Sequence, residues 1–131
     1  MRWTRAIPSL LLLASGAAAA EWTAVGRANE IYAAFADKAS IRRRGDLAIM
    51  DGLYDFRRQD FTPEGRALHS TVVLREYDCA GRRVRLLSLI DFSGHMGEGS
   101  AVATSSEPRR WEEIVAGSLD EAYLRVACGA N

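Results

Sequence analysis

Residues 111–129 read WEEIVAGSLDEAYLRVACG, and this stretch decides the fold because it predicts a helix at the end of the chain. Ser118 and Glu121 have the capping-box spacing with which helices begin. Apolar residues then recur at helical spacing on one face, namely Leu119, Ala122, Tyr123, Val126 and Ala127. Gly129, directly after Cys128, is typical of a helix end. We therefore predict a helix that begins after Ser118 and ends at Cys128.

The start of the chain predicts the compartment in which this helix forms. Arg2 and Arg5 make a charged region, residues 7–14 a short leucine-rich apolar region, and residues 18–20 an Ala-x-Ala cleavage signal. The apolar region is shorter than the roughly 20 residues that span a membrane. We predict that residues 1–20 are a signal peptide and that residues 21–131 are one exported domain. The predicted cut has no cysteine beside it, so a lipid anchor is not expected.

The chain has two cysteines, Cys79 at the end of a strand-like run and Cys128 at the end of the helix. Two cysteines in an exported chain commonly pair. Pairing would attach the helix to a strand. In the chain-entropy model, closing a loop of about 50 residues would raise the free energy of unfolding by about 4 kcal/mol. An intermolecular bond or a metal pair are the alternatives. A metal pair is disfavoured, because only His69 and His95 could complete it.

Charge argues against nucleic acid as a partner. The full chain has 17 basic and 17 acidic residues. Loss of Arg2 and Arg5 with the signal peptide leaves 15 basic and 17 acidic residues, a net charge of −2. A polybasic surface of the kind that binds nucleic acid is therefore not expected.

Residues 21–105 predict strands joined by short turns. The predicted strands are residues 21–26, 31–35, 47–56, 67–79, 82–92 and 101–105. Residues 36–40 predict a single helical turn, and residues 57–66, with Pro63 and Gly65, predict a loop. Short connections imply antiparallel pairing. The predicted fold class is α+β, a single antiparallel β-sheet of about six strands with a C-terminal α-helix packed on it.

One predicted strand, residues 47–56, carries apolar side chains on both of its faces. Such a pattern indicates a central strand that is covered on each side, or a strand that is bulged at Asp51 and Gly52. Both interpretations are compatible with the predicted sheet.

Arg42, Arg43 and Arg44 form the sharpest cluster of charge. A functional interpretation is contact with an anionic partner such as a heparin-like glycan or a phosphate headgroup. The alternative is a solvated turn balanced by Asp37 and Asp46, since runs of charge usually lie on the surface.

The remaining motifs predict no catalytic, cofactor or metal site. Residues 94–99 are rich in glycine but lack the Gly-Lys-Ser/Thr ending of a phosphate loop, so they predict a hairpin loop. His95 and Glu98 are two potential ligands, which is too few for a metal site. His69 and Ser70 are adjacent on a strand, so their side chains should point to opposite faces and form no base–nucleophile pair.

Short pieces of the chain follow one another in an order and spacing typical of one known family. The pieces are Trp22, residues 39–43 before the turn at 45–46, residues 53–56, Ser70, residues 76–79, residues 85–89, residues 93–99, Trp111, residues 116–118 and residues 127–129. In these pieces the chain resembles the surface-adhesin protein E family of small exported bacterial proteins. The resemblance implies an antiparallel sheet with a C-terminal helix, a disulfide between Cys79 and Cys128, and a homodimer.

The family takes its name from members that bind host extracellular proteins at the surface of pathogens. The resemblance therefore predicts a non-enzymatic, adhesin-like binding protein of the cell envelope, periplasmic or at the cell surface, whose partner is another protein. Host extracellular-matrix and serum proteins are the partners that the family suggests. The alternatives are a periplasmic structural or housekeeping protein and a carrier of a small ligand or metal.

Overall fold

Seven strands and one helix form within residues 20–129, the residues that the computed structural model describes. The strands are β1 (Trp22–Ala24), β2 (Tyr32–Arg44), β3 (Leu47–Phe61), β4 (Ala67–Asp78), β5 (Arg83–Phe92), β6 (Ala101–Ser105) and β7 (Glu112–Glu113). A 3-10 turn, His95–Gly97, precedes β6, and α1 (Leu119–Cys128) ends the described chain. No helix in this range is long and apolar enough to cross a membrane. Residues 1–19 of the predicted signal peptide lie outside the described residues.

The strands form one antiparallel sheet, in which β1 to β6 lie in the order β1-β2-β3-β4-β5-β6, so each of these six pairs with its neighbours in sequence. The predicted fold class is confirmed. β7 was not predicted, because two residues are too few for an alternating pattern, and it pairs with the start of β5. Of the two interpretations of residues 47–56, the central strand is confirmed, since β3 lies between β2 and β4.

The helical turn predicted at residues 36–40 is wrong, because β2 continues through it as a strand with a shifted register. At this register shift, hydrogen bonds from side chains take the place of the backbone hydrogen bonds between β2 and β3. The Asp37 carboxylate accepts a hydrogen bond from the Ala39 amide at 3.0 Å, and the Ser40 hydroxyl donates to the Asp37 carbonyl at 2.6 Å. Ser40 Oγ also accepts from the Asp51 amide of β3 at 2.8 Å. Pairing across the sheet therefore overrides the local helix preference of this segment.

The loop predicted at residues 57–66 is wrong in its first half, because β3 runs on to Phe61. The register between β3 and β4 shifts between Asp55 and Asp60 and then resumes. The actual turn is shorter, with the Gly65 amide donating to the Thr62 carbonyl at 2.8 Å. Polar residues can continue a strand here because this end of β3 is exposed.

The alternative interpretation, a bulge at Asp51 and Gly52, is wrong, since both residues pair in register with β2 and β4, and the extra residues at the neighbouring register shift lie on β2. Gly52 serves packing instead. A Cβ at Gly52 would lie 3.2 Å from Cε1 of Tyr123 and 3.2 Å from Cγ2 of Val73, closer than normal contact. The missing side chain makes room for the Tyr123 ring between α1 and the sheet.

The core lies between α1 and one face of the sheet. From α1 it contains Tyr123, Leu124 and Ala127, and from the strands and the segment after β1 it contains Val25, Ala34, Ala36, Ala48, Met50, Tyr77 and Val84. The predicted apolar face of the helix is confirmed, and Leu124 adds to it. The Tyr123 hydroxyl donates to the Phe35 carbonyl at 2.9 Å, so the ring is buried without an unsatisfied polar atom.

The predicted ends of the helix are confirmed. Ser118 Oγ accepts a hydrogen bond from the Glu121 amide at 3.2 Å, and Glu121 Oε1 accepts from the Gly117 amide at 3.2 Å. Gly129 follows Cys128 with a φ of 81°, a conformation that glycine adopts without strain. Both ends of α1 are thus fixed by local chemistry.

Candidate binding surfaces

The disulfide joins the end of β4 to the end of α1. Cys79 and Cys128 are bonded with their Cα atoms 5.8 Å apart, within the usual range for a disulfide. The Cys79 amide donates to the Asp46 carbonyl at 2.8 Å, which fixes this cysteine beside the β2–β3 turn. The bond is structural: it holds the helix at one end of the sheet.

Arg42, Arg43 and Arg44 lie on the outer edge of the sheet, beyond the short stretch of β2 that β1 covers. Arg42 donates to the carbonyls of Ala39 and Ile41, at 3.1 and 2.9 Å. All three are exposed, and within residues 20–129 none of them forms an ion pair at 4.0 Å or less. Charges on an open strand edge oppose pairing with the edge of another chain.

Arg43 has a second, local function at the end of the helix. Its guanidinium donates to the Cys128 carbonyl at 3.0 Å and to the Gly45 carbonyl at 3.3 Å. A cation there satisfies a free carbonyl and interacts favourably with the negative end of the helix dipole. Contact of these three arginines with an anionic partner stays a proposal.

The glycine-rich loop after β5 is held in place by side chains of β3 and β4. The buried Ser70 hydroxyl donates to the Gly94 carbonyl at 2.6 Å and accepts from the Gly97 amide at 2.8 Å. The Asp55 carboxylate accepts from the Met96 amide at 2.8 Å and lies 3.1 Å from Nδ1 of His95. These side chains form hydrogen bonds with backbone groups of a tight loop, so the Ser70 hydroxyl has a structural role.

The two histidines meet at this loop. Their rings lie 4.7 Å apart between centroids, and Nδ1 of His69 lies 2.7 Å from the Ser93 carbonyl. Across residues 20–129 no group of three His, Cys, Asp or Glu residues is placed to hold a metal ion.

One end of the sheet is open and partly apolar. β2 starts at Tyr32 opposite Phe56, whereas β3 runs on to Phe61, so residues 58–61 have no β2 residue beside them. Beside this overhang lies a cavity of ≈350 Å³, lined by Glu30, Ile31, Phe56, Arg58, Gln59 and Asp60. Ile31 is 67% exposed and Phe61 59% exposed. We call the six cavity residues together with Phe61 the β3-end surface.

A second cavity, of ≈190 Å³, lies between the N-terminal end of α1, β5 and the segment before β7. Its walls are Arg75, Val84, Arg85, Leu86, Arg109, Arg110, Glu112 and Asp120, and we call it the arginine cleft. Arg75 is the innermost charge: its side chain is 19% exposed, and NH1 donates to the Tyr54 hydroxyl at 2.7 Å. Its guanidinium carbon also lies 5.4 and 5.8 Å from the ring centres of Tyr54 and Tyr123.

Burial governs the titration of the groups around Arg75. It raises the pKa of the Tyr77 hydroxyl, while the positive charge of Arg75 opposes the rise. Burial lowers the pKa of Arg75 itself, but the neighbouring Tyr54 and Tyr77 outweigh it, so the net direction is upward. Arg75 therefore stays positively charged across the physiological range.

Asp51 faces a like charge across the sheet, since it pairs in register with the buried Asp37. Burial, and then the Asp37 carboxylate, raise the pKa of Asp51 above its usual range. The fold thus favours the protonated form of Asp51. The stability that this preference contributes is fully present below the unfolded-state pKa of Asp51. It is lost as the pH rises through the folded-state pKa.

We therefore expect Asp51→Asn to increase the free energy of unfolding at pH 7 by up to about 1 kcal/mol. The gain should vanish at pH 3, where Asp51 of the wild type is protonated in both states. Urea unfolding at both pH values measures the difference. Asp46→Asn, on an exposed turn, is the control and should leave stability unchanged; an equal gain there would contradict the assignment to the Asp37–Asp51 pair.

The family model described as surface-adhesin protein E matches residues 22–129. The chain belongs to the surface-adhesin protein E family. Two structures of Haemophilus influenzae protein E resemble it with TM-scores of 0.67 and 0.65, at 13% and 12% identity. The first alignment covers 83% of this chain and 86% of that one, and the second covers 82% and 83%.

A third structure, protein E from non-typeable Haemophilus influenzae, has a TM-score of 0.60 at 11% identity, covering 80% of this chain and 74% of that one. Identities this low establish the shared fold and nothing finer. No curated protein sequence matches the chain.

Neither the β3-end surface nor the arginine cleft was predicted from the sequence. The β3-end surface depends on a strand end that was predicted as a loop. The arginine cleft joins residues from β4, β5, the segment before β7 and α1, which are far apart in sequence. One usable signal was the pair Arg109 and Arg110 directly after Pro108, in a segment for which no strand was predicted.

Proposed function

We propose that the mature chain is an exported, non-enzymatic binding protein of the bacterial cell envelope that acts by adhesin-like contact with another protein. The observation that carries the proposal is membership of the surface-adhesin protein E family along residues 22–129, essentially the whole predicted mature domain. Geometry adds support, because His69 and Ser70 are hydrogen-bonded to the backbone of the loop of residues 93–99, and His95, within that loop, lies 3.1 Å from Asp55 Oδ1.

The β3-end surface is the contact region that we favour. Large apolar side chains with more than half of their area exposed lie at few places in the described chain, and two of them, Ile31 and Phe61, lie at this end of the sheet. Arg58 and Asp60 surround the cavity with charges of both signs. An apolar centre with a charged rim is typical of a protein interface.

We expect Ile31→Ser and Phe61→Ser each to weaken binding to an extracellular-matrix or serum protein by about tenfold, the loss typical of an apolar interface anchor. Biolayer interferometry with the purified mature domain against a panel of immobilised matrix and serum proteins measures this. Val115→Ser is the matched control, because Val115 is 70% exposed but lies before α1, away from this surface. A partner whose binding survives both substitutions would contradict this choice of surface.

Location tests the proposal as a whole. Protease shaving of intact cells, with cells of permeabilised outer membrane as the control, is followed by blotting for the mature chain. Loss from intact cells supports surface display and contact with host proteins. Loss only after permeabilisation places the protein in the periplasm and favours the alternative of a structural or housekeeping protein.

The proposal includes a homodimer, which the family resemblance suggests. Sedimentation velocity of the mature domain should show a species of twice the monomer mass. A monomer throughout the micromolar range would remove the dimer from the proposal and leave the binding function intact.

A further inference from the structure

We propose that the arginine cleft binds a tetrahedral oxyanion, a phosphate or sulfate group, through Arg75, Arg109 and Arg110. The cleft is separate from the β3-end surface, so this binding activity is independent of the proposed function.

Arg75 provides the first argument, because a largely buried guanidinium normally has a carboxylate as hydrogen-bonded partner. Here the only carboxylate within 4.0 Å among the described residues is that of Asp120, and the 3.7 Å between NH1 and Oδ1 is too long for a hydrogen bond. NH1 of Arg75 instead donates its hydrogen bond to a neutral group, the hydroxyl of Tyr54. Arg75 therefore lines the cleft with positive charge that no hydrogen-bonded anion neutralises.

Arg109 and Arg110 provide the second argument. Both are exposed, both line the cleft, and within residues 20–129 neither makes an ion pair or a side-chain hydrogen bond. The Arg109 amide donates to the Leu86 carbonyl of β5 at 2.8 Å, which fixes the position of this segment beside the cleft. Arg85 is excluded from the binding set, because Glu76 already pairs with it at 2.6 Å.

The charges and the shape select the ligand class. Four arginines and two carboxylates line the cleft, and because Glu76 pairs with Arg85, a net charge of +1 remains. Donors come from β4 on one side and from the segment before β7 on the other, so an anion with oxygens pointing in several directions suits them better than a planar carboxylate. The volume of ≈190 Å³ accepts such a group together with part of a molecule that carries it.

Isothermal titration calorimetry of the mature domain at constant ionic strength tests the proposal, with inorganic phosphate, inorganic sulfate, glucose 6-phosphate and acetate as probes. We expect saturable binding of phosphate and sulfate with dissociation constants in the millimolar range or below, and weaker binding of acetate. Tighter binding of glucose 6-phosphate than of phosphate would show that the anion is carried on a larger molecule. Equal binding would show that the free ion suffices.

Three variants assign the binding to the cleft. Arg110→Gln and Arg109→Gln should each weaken phosphate binding by about tenfold, the loss of one charge-assisted hydrogen bond. Asp120→Asn should strengthen it, because a repelling carboxylate is removed. Arg44→Gln is the charge-matched control at the sheet edge and should leave affinity unchanged.

Absence of saturable binding by phosphate and sulfate would overturn the proposal. So would an equal loss with Arg44→Gln and Arg110→Gln, which would show that only overall charge matters, and so would tighter binding of acetate than of phosphate. Arg109 and Arg110 are exposed, so these variants should remain folded, and a thermal melt of each confirms that a loss of affinity is not a loss of structure.

Discussion

Replacing Cys128 with Ala is expected to lower the free energy of unfolding by up to about 4 kcal/mol, the largest effect of any single substitution that leaves the core intact. The bond closes a loop with a sequence separation of 49 residues, and opening it restores that freedom to the unfolded chain. Domains of this size are stable by only about 5–15 kcal/mol, so the loss is a large fraction of the total. A loss of the full ~4 kcal/mol would lower the midpoint of a thermal melt by about 15 °C.

Cys79→Ala and the double variant provide the control for this prediction. Each should lose the same amount as Cys128→Ala, since either change breaks the same bond, and the double variant should lose no more. Treating the wild type with a thiol reductant should reproduce the loss, whereas the variants should not respond. A wild-type melt that is unaffected by reductant would contradict the prediction.

Replacing Tyr123 with Ala is expected to cost about 3–5 kcal/mol, the usual loss for a large buried ring. Its ring is fully buried between α1 and the sheet, in the space that Gly52 leaves free. Without the ring, α1 loses its central contact with β2 and β3. The effect should appear as a lower midpoint in urea unfolding, with loss of the near-ultraviolet circular dichroism signal before the far-ultraviolet signal.

Tyr123→Phe separates the hydroxyl from the ring. It keeps the packing and removes the hydrogen bond to the Phe35 carbonyl, so the expected cost is about 1 kcal/mol. If Tyr123→Phe cost as much as Tyr123→Ala, the hydroxyl and not the ring would anchor the helix, contrary to this account.

Features encoded by a few neighbouring residues could be predicted from the sequence. The helix is an example, because Ser118, Glu121 and Gly129 act within one turn of where they stand. Residues 36–40 show the limit: Ala and Lys favour a helix, but β3 is available for pairing and Ser40 bonds to Asp51 across the sheet. No pattern within residues 36–40 indicates that β3 lies beside them.

The candidate sites were harder to predict for the same reason. Arg42, Arg43 and Arg44 are conspicuous in sequence, yet two of them bond largely to nearby backbone carbonyls. Arg75 stands alone in an alternating strand and looks like any exposed arginine. Its burial becomes visible only when α1 places Tyr123 and Asp120 over β4.

The pairing of β1 to β6 with their neighbours in sequence has a consequence for how the domain forms. Successive hairpins need only short loop closures, so the sheet can assemble stepwise as the chain becomes available. The helix, by contrast, needs β2, β3 and β4 already side by side before it has a surface to dock on. Oxidation of the two cysteines should therefore be a late event that locks a nearly native chain. With two cysteines there is one intramolecular pairing, so maturation needs an oxidant but no disulfide isomerase.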